Sequence, residues 1–150
     1  MFLMRVGDPD QEIPVVVSEA RAFDLRSLTS DIDPNFLASN GIERATRAVS
    51  DGEIEEVDIS GFRIGPPVSG SRSVICIGQN YAAHAAESGS DAPKEPIVFF
   101  KHPGAIVGPN DPVHPIPGPG KLDWEVELAV VLKSRARCLE SAADAFDCIA

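Results

Sequence analysis

Little in this chain invites a disulfide, a membrane span or a nucleic acid. It has only three cysteines, Cys76, Cys138 and Cys148, odd in number and widely spaced. Such spacing fits thiols in a reducing cytosol and not a disulfide framework or a zinc knuckle. Basic residues are scarce, 13 against 23 acidic ones, for a net charge of −10. Phosphate backbones and anionic membrane surfaces both need clustered Lys and Arg, so neither is an expected partner. No apolar run approaches the roughly 20 residues of a membrane-spanning helix. Residues 1–10 lack the basic start and apolar stretch of a signal peptide, and a cytoplasmic location is expected. What is present is enough apolar material for a core: 43% hydrophobic residues and a mean hydropathy of −0.01. Twelve glycines and thirteen prolines argue against a helical bundle and for a loop-rich, strand-rich chain. A length of 150 residues allows one domain, or a small domain plus part of a larger one.

The hydropathy pattern divides the chain. Residues 1–6 and 14–17 read as short strands around the polar turn Gly7-Asp8-Pro9-Asp10, with a third at 22–25. Asp33-Pro34 is a helix entry, Asp as N-cap and Pro at the first position. Ile42, Ala45 and Val49 then recur at helical spacing until Asp51-Gly52. The stretch Gly65-Pro66-Pro67-Val68-Ser69-Gly70-Ser71 has the composition of a linker. The division predicted is a small N-terminal α/β domain at 1–64, a linker at 65–72 and a second domain from 73 to 150. Within the latter, 73–77 reads as a buried strand and 96–100 as another strand. Residues 81–88 are Ala-rich and helix-favouring, with Gly89 as the stop. Residues 102–120 are rich in Pro and Gly, with room for a brief pairing at 105–107. Residues 124–132 form the strongest expected strand, and Ser141 with Asp144 resembles a capping box. The last expected helix, 142–150, meets no Gly, Asn or Pro, which reads as a chain that continues.

Three features carry possible chemistry. Glu125 and Glu127 sit two apart in the expected strand and so share a face. Side-by-side carboxylates repel and call for a compensating cation; a hard divalent ion such as Mg²⁺ or Mn²⁺ suits oxygen ligands. The plain alternative is the solvated face of an edge strand, where charges deter aggregation. His84 and Glu87 are three apart on the expected helix, so the carboxylate can orient the imidazole as a general base. The alternative there is an exposed helix pair. Lys101 ends an apolar strand, where an ammonium can hold a carboxylate or a developing oxyanion, or simply terminate the strand. No GxGxxG phosphate cradle or nucleophile elbow is present.

Four blocks, in order and spacing, resemble the opening of the catalytic domain of the fumarylacetoacetate hydrolase family. They are Val74-Ile75-Cys76-Ile77-Gly78-Gln79-Asn80-Tyr81-Ala82-Ala83-His84-Ala85-Ala86-Glu87-Ser88-Gly89, Glu95-Pro96-Ile97-Val98-Phe99-Phe100-Lys101, Gly108-Pro109-Asn110-Asp111, and Asp123-Trp124-Glu125-Val126-Glu127-Leu128-Ala129-Val130-Val131. The segment before them resembles the small N-terminal domain of bacterial members. The resemblance implies an α+β, mostly β fold with a mixed rolled sheet, cut within the catalytic domain, and usually a homodimer. It implies that Glu125 and Glu127 bind Mg²⁺ or Mn²⁺, that His84 and Glu87 activate water, and that Lys101 lies near the substrate. The family's third metal carboxylate is an Asp further along than Ala150; Asp144 and Asp147 lie in a different context. The implied activity is hydrolysis of a C–C bond in a small β-diketo acid, an acylpyruvate or a 2,4-diketo-3-deoxy acid, with a pyruvate enolate stabilised by the metal. Isomerisation or decarboxylation of an unsaturated oxo-diacid on the same site is the alternative. A noncatalytic fragment is the alternative of another class.

Overall fold

In a computed structural model, the structure describes residues 1–87, 89, 91 and 93–150. The apolar run Pro14 to Val17 lies in β2 (Ile13–Ser18), the central strand of a three-stranded antiparallel sheet with β1 (Phe2–Val6) and β3 (Arg21–Asp24). Flanked on both sides and covered on both faces, β2 buries Val15 and Val16 completely. Leu3, Val16 and Phe23 stand opposite one another across the three strands and face one core. Both edges of this sheet are capped by single rungs. Ile64 bridges Val6, with Gly7 N donating to Arg63 O and Gly65 N donating to Arg5 O; Glu56 bridges Phe23 on the far edge. Short, interrupted edge pairings of this kind offer little template to another chain.

The helix expected from Asp33 to Ser50 is two helices, α1 (Pro34–Ala38) and α2 (Gly41–Ser50). The entry is as expected: an Asp33 carboxylate oxygen accepts from Phe36 N at 2.8 Å, and Pro34 opens the helix. The break comes at Asn40, which adopts a left-handed conformation at φ 53°. Gly41 follows because a Cβ there would stand 2.3 Å from Phe36 O. Apolar periodicity reports which faces are buried but is blind to such a corner, which turns on Asn tolerating positive φ and Gly lacking a Cβ. Phe36, Leu37, Ala45 and Ala48 complete the core with Val16, Phe23, Leu25, Ile32 and Ile54.

Beside this core lies a linked set of charges. Arg5 in β1 is only 8% exposed, and its guanidinium donates to both oxygens of Asp31, at 2.6 and 3.0 Å, and to Glu12 at 3.3 Å. Glu12 also accepts from Arg63 at 2.8 Å, and Arg63 grips Asp111 through Nε at 2.7 Å and Nη2 at 2.5 Å. Burial pushes the Glu12 and Asp31 carboxyls up, but the guanidinium hydrogen bonds and charges outweigh it and leave both below the usual range. Asp111 is lowered by its hydrogen bond from Arg63 and by the Gly108 amide.

The chain forms two compact units, Met1–Ser69 with Gly108–Ala150, and Gly70–Val107. In the second, β4 (Val74–Gly78) and β5 (Ile97–Lys101) pair antiparallel, with α3 (Ala82–Glu87) between them in sequence. Of the expected helix 81–88, Ser88 lies outside the described residues. Gly89 takes φ 71° and donates to Ala86 O, a helix-stopping geometry. At 105–107, where a brief pairing is expected, Ala105 ends a 3₁₀ turn, Pro103–Ala105, capped by His102 accepting from Gly104 N, and 106–107 carry no regular structure.

The strand expected at 124–132 is not formed. Among the described residues, a bridge between Leu132 and Ile149 is the ladder contact this segment makes. Trp124, Val126, Leu128 and Val130 are exposed, 82%, 81%, 82% and 53%. A strand needs a neighbour for its backbone groups, and β-propensity measures fit to a pleated surface, not an independent preference for it. The final helix, α4 (Ala142–Phe146), has the full capping box between Ser141 and Asp144 but stops at Phe146. Beyond it Cys148 O accepts from Lys133 N and Ala150 N donates to Val131 O, so the chain turns into pairing with 131–133.

The lowered carboxyls fix the sign of the acid response. Each contributes stability that is complete above its ordinary value, 4.5 for Glu12, and is lost as the pH falls through its lower folded value. Removing one member of such a buried pair strands the other charges. Glu12→Gln is therefore expected to destabilise the chain by about 3 kcal/mol at pH 7 in urea unfolding. It should also flatten the loss of stability of the parent below pH 4.5.

Candidate functional site

The helix α3 follows the turn Gly78-Gln79-Asn80, in which Gln79 adopts φ 50°. Its alanines bring it in closely: Ala85 is 1% exposed, and its amide donates to Tyr81 O at 3.2 Å. His84 and Glu87 are exposed on α3, one helical turn apart, where an imidazole and a carboxylate are neighbours. Lys101 is the last residue of β5, opposite Val74 in the ladder, and is exposed. These three expected residues therefore belong to one compact unit, on the helix and the strand end of a β–α–β passage.

Glu125 and Glu127 belong to the other unit. Both are exposed, in a segment without regular structure. Among the described residues, no group of three or more His, Cys, Asp or Glu is gathered as a metal site. The donors themselves fit a hard cation in kind, since each offers carboxylate oxygens and no competing thiolate. Asp144 is engaged in the α4 capping box, with its Oδ2 accepting from Ser141 N at 2.8 Å. An open groove of about 500 Å³, lined in part by Arg21, Glu56, Asp58 and Ile59, contains none of the expected residues.

The structure adds residues to which sequence reading gave no role. Asp111 closes its own turn by accepting from Gly108 N at 2.6 Å, and its partner Arg63 is 48 positions away. The Gly-Pro-Asn-Asp turn was visible as a motif. No spacing rule connects it to Arg63, because an ion pair between distant loops leaves no periodicity.

The match to a family profile is specific. Residues 73–150 match that of the fumarylacetoacetate (FAA) hydrolase C-terminal domain. The match covers more than half of the chain, and the protein belongs to the fumarylacetoacetate hydrolase family. Relatives include a protein of Burkholderia cenocepacia, 41% identical, and others of Burkholderia multivorans and Burkholderia ambifaria, each 40% identical. Each is named provisionally as a hydrolase, and each alignment runs over 144 residues, 95% of this chain. The chain spans about half the length of these relatives, 50% in each case. Among the described residues, no helix is long and apolar enough to cross a membrane.

Two exposed carboxylates in a segment outside regular secondary structure make a weak cation site. Calorimetric titration of this 150-residue chain with Mn²⁺ is expected to give a Kd of about 1 mM or weaker, since firm binding takes six or more well-placed oxygens. Micromolar binding would show that a complete ligand set forms within residues 1–150.

Proposed function

We propose that this chain is part of a divalent-metal-dependent hydrolase that cleaves a C–C bond in a β-diketo acid, an acylpyruvate or a 2,4-diketo-3-deoxy acid. The observation that carries the reading is the family match over 73–150, which contains His84, Glu87, Lys101, Glu125 and Glu127 together. The domain division 1–64, 65–72 and 73–150, a rolled mixed sheet, a homodimer and a cytoplasmic location belong to the same proposal. The profile match beginning at residue 73 supports the division.

In this reading Glu125 and Glu127 hold Mg²⁺ or Mn²⁺ through their carboxylate oxygens. When bound, such an ion supplies Lewis-acid polarisation of the substrate's carboxylate and 2-oxo oxygens. His84 takes a proton from water at an imidazole nitrogen, and Glu87, one turn along α3, holds the ring and stabilises its protonated form. The water oxygen bonds to the distal carbonyl carbon. The C–C bond then breaks, its electron pair leaves with the three-carbon fragment, and protonation of that carbon gives pyruvate. The other product is the carboxylic acid. Lys101 neutralises the oxyanion that develops at the attacked carbonyl.

The test is pyruvate release from an acylpyruvate by the full-length protein with Mg²⁺ or Mn²⁺. His84→Ala is expected to lower kcat by about 10²-fold or more, with metal affinity unchanged. Glu127→Ala should lower metal affinity and activity together. Wild-type activity of Glu127→Ala in added metal would sink the metal assignment, and a purely metal-binding defect in His84→Ala would sink the dyad. Conversion of an oxo-diacid without pyruvate release would move the reaction to isomerisation or decarboxylation.

A further inference from the structure

We propose that Arg63 is a stem clamp, fastening the turn at residues 108–111 to the chain that leaves the N-terminal sheet and so fixing the two points between which residues 70–107 are strung. Every contact involved lies within the unit formed by Met1–Ser69 and Gly108–Ala150. The outgoing chain is held first. Ile64 bridges Val6, and the amide of Gly7 and carbonyl of Arg5 bond the backbone of Arg63 and Gly65 at 2.9 and 2.8 Å. The returning chain lies directly on it, for a Cβ on Gly108 would stand 2.1 Å from Ile64 O. Only a residue without a side chain fits there.

The turn is then closed and gripped. Asp111 accepts from Gly108 N at 2.6 Å, while its own amide donates to Gly108 O at 3.1 Å. The two carboxylate oxygens of Asp111 take the parallel Nε and Nη2 donors of Arg63, at 2.7 and 2.5 Å. The remaining Nη1 reaches Glu12 Oε1 at 2.8 Å and Gly7 O at 3.2 Å. A planar fork alone meets a carboxylate this way while holding two further acceptors; an ammonium supplies the charge without the geometry. The partners are shielded, with Arg63, Glu12 and Asp111 side chains 25%, 4% and 16% exposed, so the pairing escapes most of the screening that weakens surface ion pairs. Two independent features, one electrostatic and one steric, thus hold one contact. The clamp does not depend on the proposed chemistry.

The prediction separates local from global effects. Hydrogen exchange is followed residue by residue in the 150-residue chain and in Arg63→Lys, Gly108→Ala and the double variant, with Arg21→Lys as the exposed control. In each single variant, exchange at the Gly65, Gly108 and Asp111 amides is expected to rise about tenfold or more, while amides in the β1–β2 ladder change little, as for a sub-global opening. The double variant should exceed the larger single effect only slightly, because both changes open the same contact. An equal rise across the ladder would make Arg63 an ordinary contributor to global stability and overturn the clamp. So would an unchanged stem in both single variants, or full additivity in the double.

Discussion

One carboxylate shared by two guanidiniums holds the N-terminal unit in register with the rest of its fold. Glu12 is 4% exposed at its side chain and accepts from both Arg5 and Arg63. Through Arg5 it reaches Asp31, which leads into α1; through Arg63 it reaches Asp111, in the turn after the second unit. Burying Arg5 and partly shielding the four charges linked to it has a desolvation cost that hydrophobic replacements would avoid. The return is specificity of placement. Apolar contacts are non-directional and tolerate sliding, whereas an Arg–carboxylate fork accepts one geometry. Here the fork sets where the chain leaves the sheet and where it comes back.

The apolar core depends on the same arrangement. Glu12 immediately precedes β2, the strand on which β1 and β3 both pair. Arg5 stands opposite Pro14 in the β1–β2 ladder, so its charge contacts and its strand pairing constrain the same residue. Arg5 shares a face of β1 with Leu3, so a register slip of one residue would turn both over, taking Leu3 from the core of Val16, Phe23 and Leu25 and Arg5 from Asp31 and Glu12. The charges therefore act against misregistered sheets as much as for the native one.

Legibility in the sequence followed the range of the interaction. The Asp33 N-cap and the Ser141–Asp144 box rest on contacts three residues apart, and the three strands of the first sheet pair with their sequence neighbours across short turns, so each was readable. The corner at Asn40-Gly41 was missed because it depends on backbone clearance beside Phe36, which hydropathy does not encode. Residues 124–132 carried the strongest strand signal and form no strand, since propensity and alternation describe readiness to pair and only a neighbour completes the pairing. The candidate site divides in the same way. His84 and Glu87 were placed one turn apart by local spacing, and α3 does so. The assignment of Glu125 and Glu127 rests on family membership, because a cation site is defined by groups brought together from distant parts of a chain.

The N-terminal segment is more than an appendage to the family domain. The profile match begins at residue 73, yet Asp111, well inside it, is clasped by Arg63, and Arg63 is steadied by Glu12. Gly108, also inside the match, lies against Ile64 outside it. Severing the chain at the Pro- and Gly-rich stretch after Ile64 would leave the 108–111 turn with its own hydrogen bonds but no counter-charge for Asp111. A partly shielded carboxylate that loses its guanidinium turns towards solvent, and that movement releases the turn. The family domain of this chain thus takes part of its local order from residues outside the family motif, through a contact made of two charges and the absence of one side chain.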